Sequence, residues 1–128
     1  MEFSNQELRR LIALSEGLSA WQNVLSLPQV LALITIARNP GLSVNELADN
    51  LGLPQQTVSR HVAILLGRYQ TLETMEAGTL PFIRQEISAS DPRRRALFLS
   101  EEGLAMLKAI ASDRPTSASS TSKPGKVQ

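Results

Sequence analysis

The chain has 128 residues, long enough for one domain with one modest core. Apolar residues make up 42% and aromatics 4%, so an aliphatic core is expected, and the lack of cysteine excludes disulfides, thiolate metal sites and a cysteine redox sensor. The formal charge is only +1, so any polyanion partner has to be sought in local patches.

Residues 4–25 read as one helix, open to interruption near Gly17. Leu8, Leu11, Leu14, Leu18, Trp21 and Leu25 recur at steps of three or four and form a long apolar seam. Two uses of the seam stay open: packing within the chain, or dimerisation through Leu8, Leu11, Leu14, Leu18 and Trp21. For Trp21, packing is weighed against a platform for a small effector. The N-terminus lacks the basic start and apolar stretch of a secretory signal. The longest apolar run, "VLALITIA" at 30–37, falls short of the ~18 residues a membrane span needs. A cytoplasmic protein with no membrane partner is the expectation.

Pro28 suits the first turn of a second helix, where its missing N–H costs nothing. That helix runs to about Arg38 and stops at "NPG", 39–41. A third helix follows, with Ser43 and Glu46 as a capping box and Val44, Leu47, Ala48 and Leu51 as its apolar face. Gly52 ends it, and Pro54 starts the next helix two residues later, the pattern of a helix-turn-helix. In this fourth helix Val58, Val62, Leu65 and Tyr69 form the inner face. Gln56 and Arg60 point away from it, flanked by Thr57, Ser59 and Ala63. Past Gly67 two readings stay open. Either Tyr69, Leu72 and Met75 carry the helix on towards Ala77 with a stop at Gly78, or it breaks at Gly67 into an irregular segment.

From Leu80 the pattern changes. "LPFIRQEIS" and "RRALFLS" read as an antiparallel hairpin with Ile83, Ile87, Leu97 and Leu99 facing the core and "SASDPRR" at its tip. Ser100 caps a final helix, Glu101 and Glu102 suit its first turn, and Leu104, Leu107 and Ile110 form its buried side. Beyond it the chain turns to Ser, Thr, Pro and Lys and is expected to be disordered. The division is thus a domain over 1–111 and a tail over 112–128.

The predicted fold is mainly α with a small β-hairpin, a winged helix-turn-helix. Its logic suits duplex DNA, with the second helix of the pair in the major groove and the wing on the adjacent backbone or minor groove. Arg60 can donate to guanine O6 and N7, and Gln55 and Gln56 can read a base edge, commonly adenine. Thr57 and Ser59 suit phosphate. Arg93, Arg94 and Arg95 suit phosphates or a narrow minor groove, and strand alternation favours Arg93 and Arg95 over Arg94. The helix starts at Ser43 and Pro54 offer backbone N–H groups to phosphate. His61 is the single histidine, so no multi-histidine metal site exists, and its role is structural or phosphate-contacting. No nucleophile elbow, P-loop, dinucleotide fingerprint or metal cluster appears, so neither an enzyme nor a cofactor is expected. The rival is a winged-helix adaptor that binds proteins without specific DNA binding.

Two stretches carry a family resemblance. "GLSVNELADNLGLPQQTVSRHVAIL", 41–65, and "ISASDPRRRALFLSEEGLAML", 87–107, resemble the helix-turn-helix and the wing of the MarR-type winged-helix transcription regulators. Asp91 and Arg93 match that family's D-x-R wing motif, "LSEEG" at 99–103 matches its L-T-E-x-G pattern, and the similarity covers about residues 4–111. The resemblance implies a homodimer on a near-palindromic operator, usually a repressor. It also implies that Asp91 orients Arg93, and a small phenolic or lipophilic effector between dimer helices and DNA-binding lobe. Two features depart from the pattern. About two dozen residues separate Gly67 from Asp91, where the family has a short link. The last dimerisation helix is absent or replaced by the tail, which leaves dimerisation to residues 4–25 or makes the protein a variant monomer.

Overall fold

Three of the helices begin on the same device, a serine whose side chain and whose partner three residues on satisfy each other's orphan N–H groups. In α1 (Asn5–Ser19) the Ser4 hydroxyl accepts the Glu7 N–H at 3.0 Å and Glu7 Oε1 accepts the Ser4 N–H at 2.9 Å. Ser26 and Gln29 do the same for α2 (Leu27–Arg38), with Pro28 in its first turn as expected. Ser43 and Glu46 do it for α3 (Val44–Leu51), which Gly52 ends in the left-handed conformation at φ 67°. Only the third box was anticipated, although "SNQE" and "SLPQ" spell the same pattern.

These elements belong to a computed structural model that describes residues 2–68 and 81–112. The continuation through Leu72 and Met75 to Gly78, the inward place of Tyr69 and the disordered tail lie outside the described residues. The remaining elements are α4 (Gln55–Leu65), a hairpin of β1 (Ile83–Ile87) and β2 (Arg95–Leu99), and α5 (Glu101–Ala111). Among the described residues the fold is five helices and a two-stranded antiparallel hairpin, a winged helix. The described residues fall into two compact units: one holds those up to Trp21 and those from Lys108, the other those between Gln22 and Leu107.

In the first unit α1 corrects the expected helix over 4–25. It passes through Gly17 unbroken and ends at Ser19, so Trp21 sits in the turns that follow. Gly17 serves close approach, since a Cβ there would lie 2.9 Å from the Ile110 Cα. Leu8, Leu11 and Leu14 are 47%, 48% and 43% exposed, so this face of the seam is not covered by described residues.

The second unit is built on an aliphatic core. Leu33 and Ile36 of α2, Leu47 of α3, Val58 and Leu65 of α4, and Ile83 and Leu97 of the hairpin are fully buried. Phe82, just before β1, is buried with them, although the sequence pattern did not single it out. The inner face of α4 is as expected at Val58, Val62 and Leu65, but Ala63, placed outward by the wheel, is buried too. The helix stops at Leu65 and Gly67 takes φ 88°, so α4 itself does not run through Gly67.

Register pairs Ile83 with Leu99, Gln85 with Leu97 and Ile87 with Arg95. These six residues share one face of the hairpin by strand alternation. Near the base that face is core, but the strands outrun the core, and Ile87 is 62% exposed, not inward as expected. β2 is also tied to the turn before α3, the Gly41 N–H donating to Leu97 O (2.8 Å) and the Leu97 N–H to Leu42 O (3.0 Å).

Ser100 caps α5 as expected, its hydroxyl accepting the Gly103 N–H at 3.0 Å and donating to Pro81 O at 2.7 Å. The buried side of α5 is as expected at Ile110 and is otherwise a correction. Leu104 is 45% exposed, and Gly103, Met106 and Ile110 are the buried positions. The stripe is turned because Gly103 passes the Phe82 carbonyl so closely that a Cβ would sit 2.0 Å from its oxygen. No helix among the described residues is long and apolar enough to cross a membrane.

Candidate nucleic-acid interface

The polar front of α4 divides into two neighbouring rows, each pairing residues one helical turn apart. Gln55 and Ser59 form one, facing the wing across a cleft of about 470 Å³. Gln56 and Arg60 form the other and are exposed, as is Thr57. Neither Gln56 nor Arg60 has a side-chain hydrogen bond or ion pair with a described residue. The start of α4 is itself open, because its cap is Pro54, which has no side chain able to accept the first N–H groups.

The other walls of the cleft come from α3 and the hairpin. Ser43, Val44 and Asn45 stand at the start of α3, and Gln85, Asp91, Arg93, Arg94 and Arg95 stand along the wing. Of the expected residues, the cleft brings together Ser43, Gln55, Ser59, Asp91, Arg93, Arg94 and Arg95, while Pro54, Gln56, Thr57, Arg60 and His61 do not line it. Asn45 and Gln85 were missed. The signal for Asn45 was its place beside the cap residue Ser43. Gln85 could have been found from the register, as the polar residue opposite Leu97 where the core face gives way to the cleft.

The three wing arginines do not act alike. Arg93 and Arg95 are exposed and have no ion-pair partner among the described residues. Arg94 is half-buried, and its guanidinium donates to Glu46 Oε1 at 2.5 Å and to Gly41 O at 3.2 Å. The hydrogen bond from Arg94, followed by that from the Ser43 N–H, holds the Glu46 carboxyl below the usual carboxylate value. The same bond raises the Arg94 guanidinium above its ordinary value.

Asp91 supports the wing differently from what the resemblance implied. Its Oδ1 accepts the backbone N–H of Arg93 at 3.1 Å, and its carbonyl accepts the Arg94 N–H at 2.9 Å. It shapes the turn that presents Arg93 and does not grip the guanidinium. Of the two uses left open for His61, the contacts are those of the structural one. His61 is half-buried, with Nδ1 3.3 Å from Nε2 of the buried Gln29. Gln29 Oε1 already accepts the Ser26 N–H, so its NH₂ end faces the ring and Nδ1 accepts. His61 thus joins α4 to the start of α2.

The wing face carries one further stacked pair. The Arg84 guanidinium lies 4.6 Å from the centroid of the Phe98 ring, its cross-strand partner, and forms an ion pair with Glu86. Among the described residues no group of acidic, histidine or cysteine side chains has the arrangement of a metal site.

Residues 25–68, which hold α2, α3 and α4, match the MarR family. No curated protein matches the sequence. Solved structures with the same fold include MarR-family transcription regulators. RV1404 from Mycobacterium tuberculosis superposes with a TM-score of 0.65 at 14% identity, over 80% of this chain and 62% of that one. The S. aureus MepR–DNA complex has a TM-score of 0.57 at 21% identity, over 80% of this chain and 73% of that one. PcaV from Streptomyces coelicolor, solved with its natural ligand, has a TM-score of 0.53 at 21% identity, over 86% and 75%. The chain thus spans less than two thirds of the length of RV1404.

Proposed function

With α2 to α4 matching the MarR family and the whole fold that of its winged helices, we propose that this chain is a sequence-specific reader of duplex DNA that regulates transcription. The observation that carries it is the cleft where Gln55 and Ser59 of α4 face Arg93 and Arg95 of the wing. A duplex seated there would have the front of α4 in its major groove and the wing arginines on the flanking phosphates or minor groove. Arg60, Gln55 and Gln56 are the base readers. Thr57, Ser59, Arg93 and Arg95 are the phosphate and groove contacts, joined by the open N–H groups after Ser43 and Pro54. The MepR–DNA complex, which shares the fold, supports a DNA partner.

The active form would be a homodimer on a near-palindromic operator, acting as a repressor. The exposed Leu8, Leu11 and Leu14 of α1 support the second copy, since a row of apolar side chains on one helix face is stabilised by cover. The ligand bound to PcaV supports a small-molecule effector. The place of action would be the cytoplasm.

The test is selection from a random duplex pool, run on the native chain and on a variant with Arg93→Ala and Arg95→Ala. Enrichment of an inverted repeat that fades in the variant is expected. Equal, weak and sequence-blind binding by both proteins would transfer the fold to the adaptor function.

A further inference from the structure

Arg94 has the charge of its neighbours but is turned away from their task. Its guanidinium reaches Glu46 Oε1 (2.5 Å) and Gly41 O (3.2 Å). That same Glu46 oxygen accepts the Ser43 N–H at 2.8 Å, while the Ser43 hydroxyl accepts the Glu46 N–H at 3.2 Å. One carboxylate therefore closes the cap of α3 and holds a side chain of the wing. The backbone of Arg94 is meanwhile part of the wing's turn: its N–H donates to Asp91 O and its carbonyl accepts the Ser88 N–H, both at 2.9 Å. Wherever the Arg94 side chain is held, that turn is held too, with Arg93 and Arg95 on either side.

From these contacts we propose that Arg94 is a positioning residue, with Glu46 as its partner. The pair fixes the wing against the start of α3, and so sets the spacing of the DNA cleft, without touching DNA itself. The inference rests on the duplex-DNA reading of that cleft. At its base the hairpin is fastened by the core and by the bonds of Leu97 to Gly41 and Leu42. Nearer the tip, the Arg94–Glu46 pair is the one ion pair among the described residues that joins the wing to the helix-turn-helix. An exposed ion pair adds little to global stability. Its effect here is geometric, because phosphate contacts work only when the cations stand in the register of the backbone.

The rival use is that Arg94 is a third phosphate ligand. In that case Glu46 opposes binding, by competing for the guanidinium and repelling the duplex. The two uses give opposite signs for Glu46→Gln. Glutamine keeps the capping box, since its amide oxygen still accepts the Ser43 N–H, but the charge facing Arg94 is lost.

The experiment takes the full chain, Glu46→Gln, Arg94→Ala and the double variant. Affinity for the most enriched duplex is measured across a salt series, and hydrogen exchange of the Ser88 and Arg94 amides is measured in the free proteins. Each single variant is expected to bind roughly two- to fivefold more weakly, the scale of one exposed ion pair. The double variant should be no weaker than either single, the salt slope should stay unchanged, and both amides should exchange faster. Tighter or unchanged binding by Glu46→Gln would overturn the proposal. So would a fall of about 0.9 in the salt slope for Arg94→Ala, the mark of one lost phosphate contact. If the native chain enriches no duplex, the DNA reading itself fails. Exchange then decides the pair alone: faster exchange upholds it and unchanged exchange overturns it.

Discussion

At the scale of single residues, Arg60 and Arg93 should fail in different ways. Arg60 stands on the outer row of α4, where a base edge would lie, so Arg60→Ala should relax preference at one position of the site. The cost there is about 1–3 kcal/mol, read from binding to single-base variants of the enriched duplex. Arg93 is presented by the Asp91 turn as an exposed cation, so Arg93→Ala should weaken binding to all sequences alike. It should also flatten the plot of log affinity against log salt by about 0.9. Glu46 adds a dependence on pH. Its carboxyl is held below its ordinary 4.5 by the Arg94 hydrogen bond, so the folded value lies under the unfolded one. The pair's contribution is therefore fully present above about pH 4.5 and is lost as pH falls through the folded value. An NMR titration of the Glu46 carboxyl carbon should have its midpoint below 4.5, and the wing should be indifferent to pH near neutrality.

At the scale of elements, the fold depends on where backbones pass close to one another. The start of α5 lies against the carbonyl of Phe82, which also accepts the Ser100 N–H at 3.0 Å. A Cβ at Gly103 would stand 2.0 Å from that carbonyl oxygen. Gly103→Ala should therefore lower the unfolding midpoint sharply, by more than the ~1–3 kcal/mol of ordinary overpacking, as read by denaturant titration. The capping boxes of α1, α2 and α3 were legible from S-x-x-E/Q spacing, because a cap is made within four residues of one chain segment. The ends of elements were harder. The apolar spacing of Leu18, Trp21 and Leu25 continues past Ser19, yet the helix stops there. Periodicity records which residues would share a face, not whether the backbone still supplies one. Ile87 and Leu104 fit strand and helix patterns equally well, but the core ends before one and the contact with Phe82 rotates the other outward.

At the scale of the whole molecule, the uncovered leucines of α1 make the oligomeric state the main expectation to check. Leu11→Glu would put a charge in the middle of the row formed by Leu8, Leu11 and Leu14. Sedimentation should report a dimer for the native chain and a monomer for this variant, with the variant's circular dichroism unchanged. Two copies on one operator would place their recognition helices one turn of duplex apart, ~34–36 Å, so half-site spacing in the enriched repeat offers a second reading of the same state. A single half-site, or a monomer at micromolar concentration with and without DNA, would remove the dimer from the proposal.

The sequence by itself determined what is local. Helix starts follow from a serine and its partner three residues on. The turn between α3 and α4 follows from Gly52 and Pro54, and the wing from two short β-rich runs with arginines at their tip. Tertiary structure decided which like residues do unlike things. Arg93, Arg94 and Arg95 are indistinguishable as letters, but only Arg94 comes within reach of Glu46, 48 positions away in the chain. His61 sits among the polar residues of α4, but Gln29, 32 positions away, turns it to the core side. The physical reason is the same in both cases. A cap or a turn is closed by neighbours in sequence, whereas the partner of a side chain is chosen by packing that no local pattern records.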